Sequence, residues 1–406
     1  MTESLTQPRR ETAGSGVARP TTVAEAAQVL SGSTGSVLFR GGATQLDWAG
    51  RVPDPDLVVD TTGLSGVLTH NPGDMTASVR AGTTLIALQD QLAGAGQWLA
   101  LDPPTASAGA TVGGLLATGD SGPSRLRYGG IRDLVIGVTI VLADGTVARS
   151  GGHVIKNVAG YDLAKLVHGS LGSLALVAEV VVRLHPLPET SVTFTGVADA
   201  AQATAAALAL AASPLEPAAV EWASASAADA GRLLVRVDGT EAPVEAAGRS
   251  LTELIAGLGV TLTALSAPDA TSAWQAHAAA VVGSDDETVV RVAGLPSDLA
   301  DLAGSAQDAA RVADLRVGVV SSAALGMHTV RLSGGSPTGH AQALTQLRGR
   351  ALERGASVLL RRRSPELDGL VEALGPPPSS ADLLRRIKAE FDPAGRCAPG
   401  RFSPWF

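Results

Sequence analysis

Apolar and polar positions alternate in short blocks through the first half of the chain. The runs SVLFR (36–40), DLVVD (56–60), TASVRAG (76–82), LVIGVTIVLADGT (134–146) and LALVAEVVVRL (174–184), most of them bounded by Gly, Asp or Pro, predict strands. Between the third and fourth runs, Leu85, Leu88 and Leu92 recur at helical spacing before Gly94, which predicts one amphipathic helix with a glycine stop. Near the start, Thr22 with Glu25 three residues later reads as a capping box, and Val23, Ala26, Ala27 and Leu30 supply the apolar face of a short helix. Strands and helices mix without a steady βαβ alternation. That favours α+β over a doubly wound sheet.

After HPLP (185–188) the chain becomes alanine-rich. Spacing predicts helices over 197–212, 243–257, 269–281 and 339–354, and strands at RLLVRVDG, ETVVRVAG, RVGVVSSAALG, HTVRLSGG and SVLLRRR. The expected organisation is a disordered start (1–16), a first domain (17–188), a second α+β domain (189–375) and a final segment (376–406). GPPPSS is read as the linker into that segment, and Ser380 as the cap of its helix ADLLRRIKAEF.

Composition removes several function classes. A net charge of −8 and a pI of about 5.4 argue against nucleic acid or an anionic membrane as partner. The runs Arg361-Arg362-Arg363 and Arg385-Arg386 are short, lie near acids and read as solvated faces. One cysteine, Cys397, excludes an intrachain disulfide, an iron–sulfur cluster or a multi-thiolate metal site within this chain; no metal is expected, and a reducing cytoplasm fits. Mean hydropathy of +0.21 reflects alanine, and no run approaches the ~18 apolar residues of a membrane span. The twin arginine near the start has no apolar stretch behind it, so no export signal is expected. Any membrane association would come through a partner.

Three segments carry candidate chemistry. RGGATQ (40–45) follows a strand with little side chain, so its amides can form a concave nest for phosphate oxygens; a tight connection alone is the blander reading. It lacks the lysine of a Walker loop and the spacing of a Rossmann fingerprint. LDPPTASAGATVGGLLATGDSGPSRLRYGGIRDLVIG (101–137) carries more glycine than a crossover needs, and GSLGSLALV (169–177) again puts small residues before a strand. Three such loops in one predicted domain suggest a pyrophosphate-bearing cofactor lying along them.

RGGATQ, DPPTASAGATVGG, YGGIRDLVIG, VLADGT, KNVAGYDLAKL and GSLGSL, in that order, resemble the FAD-binding domain of the vanillyl-alcohol oxidase type, also called the PCMH type. With HPLP and FDPAGRCAPGR, the wording is most similar to the FAD-binding subunits of bacterial glycolate oxidases. The resemblance implies a PCMH-type domain of two α+β subdomains, then a smaller α+β cap domain over the flavin ring and a C-terminal segment returning to the FAD domain. It implies that Arg40, Gly41, Gly42, Ala43, Thr44 and Gln45 touch the pyrophosphate. Pro104, Thr105, Gly109, Thr111, Gly113 and Gly114 would line the diphosphate and ribityl chain. The loop from Ala117 through Gly122 to Tyr128 would approach the ring, and Gly169, Gly172 and the backbone near Val177 would hold the diphosphate and adenine side. Some relatives attach flavin through a histidine where this chain has Thr44, so FAD is expected to be non-covalent.

The resemblance further implies work on a small 2-hydroxy acid beside a catalytic flavoprotein subunit and an iron–sulfur subunit. No histidine pair and none of the His-x-Gly-Asp-Gly-Asn-x-His-like stretch of the catalytic relatives is present, so no catalytic base can be named from the sequence. Two other readings stay open: a self-sufficient FAD-dependent 2-hydroxy-acid dehydrogenase, with Arg125 or Arg127 as anion clamp, and a non-catalytic scaffold that keeps the flavin fold.

Overall fold

The computed structural model describes residues 16–153 and 161–406. The expected disorder of the first residues, and Lys156 and Asn157 of the KNVAGYDLAKL motif, therefore lie outside the described residues.

Two sheets make up the first part. Strand Leu57–Asp60 lies between Gly16–Ala18 and Val37–Arg40, all parallel. A five-stranded antiparallel sheet follows, ordered Val67–Asn71, Thr76–Arg80, Leu176–Arg183, Val135–Val141, Val147–Gly151. Helix Val23–Ser31 joins the two, because Ala26 and Leu30 pack with Val37 and Val59 of one sheet and Leu176 and Ala178 of the other. Its predicted capping box forms with a shift: Thr22 accepts from the Glu25 N–H at 3.1 Å, but the Glu25 carboxylate reaches back to Thr21. Helix Leu85–Ala93 forms as its spacing predicts, and Leu85, Leu88 and Leu92 are buried in the core of the five-stranded sheet.

The later part is built on an eight-stranded antiparallel sheet, so the region expected to be the smaller carries the larger sheet. Helices Ala200–Ala211, Glu241–Ala256, Leu299–Val312 and Pro337–Glu353 bury their stripes in its core, largely through alanines that let them approach closely. Helix Leu299–Val312 is not among the predicted elements, and strand Thr190–Ala198 occupies the start of the helix predicted from 197. Helix Ala267–Val282 stands apart, contributing nothing to this core.

The expected solvated face at 361–363 is corrected: Arg361 and Arg363 are buried, at 8% and 7% exposure, because they turn inward at the end of strand Ser357–Arg362. Arg385 and Arg386 are exposed, on helix Ala381–Phe391. Ser380 makes no side-chain cap there. Beyond that helix the chain returns to the three-stranded sheet: the Val37 N–H donates to Arg396 O at 2.8 Å and the Ala398 N–H to Val37 O at 2.9 Å. No helix among the described residues is long and apolar enough to cross a membrane.

Candidate functional site

Gly41 to Gln45 turn away from the end of strand Val37–Arg40, with Ala43 in the left-handed region at φ 59°. The N–H groups of Gly42, Ala43 and Thr44 meet no acceptor among the described residues. They border a cavity also lined by Thr111, Gly113, Gly114, Ala117, Gly172 and Val177. Unpaired amides on a concave, side-chain-poor wall suit phosphate oxygens. Thr111 caps helix Val112–Thr118 at this wall, accepting from the Gly114 N–H at 3.2 Å.

The glycines serve two purposes. A Cβ on Gly42 would collide with the Gly109 carbonyl, one on Gly122 with the Asp102 carbonyl, and one on Gly113 would stand 2.7 Å from the Ala81 Cβ. At these positions glycine lets one loop lie directly on the next. Gly172 differs: its φ is +76° and the nearest atom to an added Cβ is on Phe39 at 3.5 Å, so the side chain would enter the cavity.

Three cavities share walls in sequence. Thr44 and Gln45 line both the first cavity and a narrow cleft with Trp48, Thr105 and Asp120, and Pro104 and Arg361 line both that cleft and a chamber of about 410 Å³. An elongated cofactor such as FAD fits such a run. Gly122 also lines the chamber. Other predicted residues stand elsewhere. Arg40 pairs with Asp60 at 3.5 Å, outside the cavity lining, and Gly109 and Gly169 form left-handed turns behind it. Tyr128 is half-buried between Trp98 and His185, with ring centroids 5.4 and 5.0 Å away, in a separate surface groove.

The cleft and the chamber together gather residues that the sequence alone did not reveal. Asp120, 1% exposed, accepts from Gln45 Nε2 at 2.6 Å and Thr105 Oγ1 at 2.9 Å through Oδ2, while its Oδ1 has no hydrogen-bond partner. Arg361 Nη2 lies 3.6 Å from that oxygen, its guanidinium 3.9 Å over the Trp48 ring and its buried Nε without a partner. Arg291 hydrogen-bonds Met327 Sδ at 3.3 Å; burial, then the Arg361 charge, pulls it down to about 9. Arg291 and Arg361 both line the chamber, and among the described residues neither is neutralised by a close, hydrogen-bonded carboxylate, which favours an anionic ligand between them. Arg236 is held by Asp102 at 3.3 Å and Ser124 Oγ at 2.7 Å.

Across the chamber, His277 Nε2 and Glu221 Oε2 are 2.9 Å apart, both buried, with Ser322 Oγ donating to the same carboxylate oxygen at 3.0 Å. Burial pushes the Glu221 carboxyl up, against the hydrogen bonds of His277 and Ser322. His328 donates or accepts at Ser321 Oγ, 2.8 Å away, and burial lowers it to about 4, so it is neutral at pH 7. Glu221 lies 56 residues from His277, and Asp120 is more than 200 residues from Arg361, which is why no local motif announces these pairs.

The comparisons agree with the geometry. Residues 15–151 match the FAD binding domain family. The chain is 36% identical over 164 residues to the glycolate oxidase subunit GlcE of Escherichia coli (strain K12), a match spanning 40% of this chain and 46% of that protein. It is 34% identical over 157 residues to the GlcD subunit of Bacillus subtilis, spanning 39% and 33% of the two chains. An uncharacterized FAD-linked oxidoreductase of Mycobacterium tuberculosis is 29% identical across 98% of this chain and 92% of its own. Among solved structures, p-cresol methylhydroxylase with substrate bound superposes at TM-score 0.71 with 16% identity, over 95% of this chain and 88% of that one, and shows the fold. Residues 15–151 are thus an FAD-binding domain of the PCMH type, set in an α+β fold that the solved neighbours share.

Proposed function

We propose that this protein is an FAD-linked oxidoreductase for small 2-hydroxy acids, acting as a subunit of a glycolate oxidase-type complex. Residues 17–188 hold the flavin, 189–375 cap it and 376–406 return to the flavin domain. The observation that carries this reading is the run of cavities from the unpaired amides of Gly42 to Thr44 into a chamber with Arg291 and Arg361 in its wall. When bound, FAD accepts the two electrons taken from the acid. Arg291 and Arg361 hold the carboxylate of the acid. The similarity to GlcE and GlcD supports a catalytic flavoprotein subunit and an iron–sulfur subunit as partners, with any membrane association coming through them.

The flavin-loaded chain alone is expected to turn over glycolate or D-lactate negligibly with an artificial electron acceptor, and to gain activity when the partner subunits are added. The His277–Glu221 pair in the same chamber favours a second reading, the self-sufficient dehydrogenase, in which His277 takes the hydroxyl proton. Ready turnover by the lone chain would select it. Because Thr44 cannot form a covalent flavin link, acid precipitation should release all FAD into the supernatant; yellow colour in the pellet would refute non-covalent binding.

A further inference from the structure

Helix Ala267–Val282 forms one wall of the chamber. Thr271, Trp274, Ala278 and Val281 line it at spacings of three and four, so they make one stripe along the helix. Only Ala273 and His277 of its sixteen residues are buried, and none belongs to the core beneath the eight-stranded sheet. The stripe therefore adds no residue to that core. It faces the chamber instead, where Val320 and Met327 add to the same apolar lining.

The Trp274 ring is fixed in place. Its Nε1 donates to Thr193 Oγ1 at 2.9 Å, and the ring lies 5.4 Å from the Arg236 guanidinium and 5.9 Å from the His277 ring. Arg291 touches Met327, so the cationic end of the chamber runs directly into its apolar wall. The chamber of about 410 Å³ is continuous with the cofactor run and must also take the flavin ring, so it is the apolar lining beside Arg291, not the volume, that points to a substituent on the acid. Glycolate at the arginines would leave the Trp274 and Val281 surface to water, which apolar walls hold poorly.

We propose that the chamber takes an acid bearing an apolar substituent of about aromatic-ring size. Its carboxylate lies at Arg291 and Arg361, and its substituent lies against Trp274, Val281 and Met327, with Trp274 and Val281 setting specificity. This rests on the reading of the chamber as the acid site.

The test is isothermal titration of the full, FAD-loaded chain with two acids it cannot oxidise at a hydroxyl, acetate and phenylacetate. Phenylacetate is expected to bind at least tenfold more tightly. Val281→Trp should remove that preference by filling the substituent's space, whereas Val281→Leu should retain most of it; FAD content and the far-ultraviolet spectrum establish that both variants are folded. Equal affinity for the two acids in the wild-type chain, or a preference that survives Val281→Trp, would overturn the assignment of the substituent site while leaving an anion site in place. Binding of neither acid would overturn both this inference and the reading of the chamber on which it rests.

Discussion

Single residues in the flavin loops separate two kinds of constraint. Gly172→Val places a branched side chain in the cavity at a φ of +76°, so it should weaken FAD binding by on the order of 2 kcal/mol or more, read from flavin fluorescence during titration of the apoprotein. Gly42→Ala instead meets the Gly109 backbone, and should lower the unfolding midpoint even when no flavin is present. If Gly172→Val binds FAD as the wild type does while remaining folded, the wall from Gly172 to Val177 is not part of the flavin site. The loops themselves were legible because their requirement is local: little side chain, in order, beside strands. Tyr128 was not. It shares the glycine-rich stretch with Gly122, but a four-residue helix, Arg125–Tyr128, carries its ring to the far side against Trp98.

At the scale of elements, residues 46–50 show how distant segments complete the site. Arg401 Nη1 donates to Leu46 O, Trp48 O and Gly50 O at 2.7, 2.9 and 3.0 Å, while Arg363 Nη1 donates to Asp47 O and Ala49 O at 3.2 and 2.9 Å. Two buried guanidiniums thus take up every carbonyl of the loop that follows the phosphate nest. Arg401→Gln should leave buried acceptors unpaired, lowering stability by about 2–3 kcal/mol and weakening FAD binding at least severalfold; urea titration with and without FAD separates the two effects. Periodicity revealed most elements, but helix Leu299–Val312 went unread because its stripe is mostly Ala303, Ala306, Ala309 and Ala310, residues that barely register as apolar. The arginines at 361–363 were misread for another reason. Composition could not show that Trp48 and Asp120, more than 200 residues upstream, would meet Arg361.

For the whole molecule, acid stability follows from two histidines that burial keeps neutral. His168 and His328 are lowered from 6.5 to about 4. Between those values the unfolded chain binds more protons than the folded one, so stability rises with pH across the window and is lost as pH falls from 6.5 towards 4. The unfolding free energy from urea titration should therefore drop between pH 7 and 4.5, by up to about 2 kcal/mol for each histidine, and His328→Gln should flatten the profile. A midpoint that is constant over this range would contradict their burial as neutral rings.

The pinning of residues 46–50 by Arg401 also fixes an order of events. During synthesis, the glycine nest emerges some 350 residues before the guanidinium that holds its flank. The first domain can collapse around its own core earlier, since domains fold as units while the chain grows, but the carbonyls of Leu46, Trp48 and Gly50 beside its phosphate loop stay without their guanidinium until the segment at 392–401 arrives. Nascent chains halted before Arg396 should therefore hold flavin more weakly than the chain that includes Arg401.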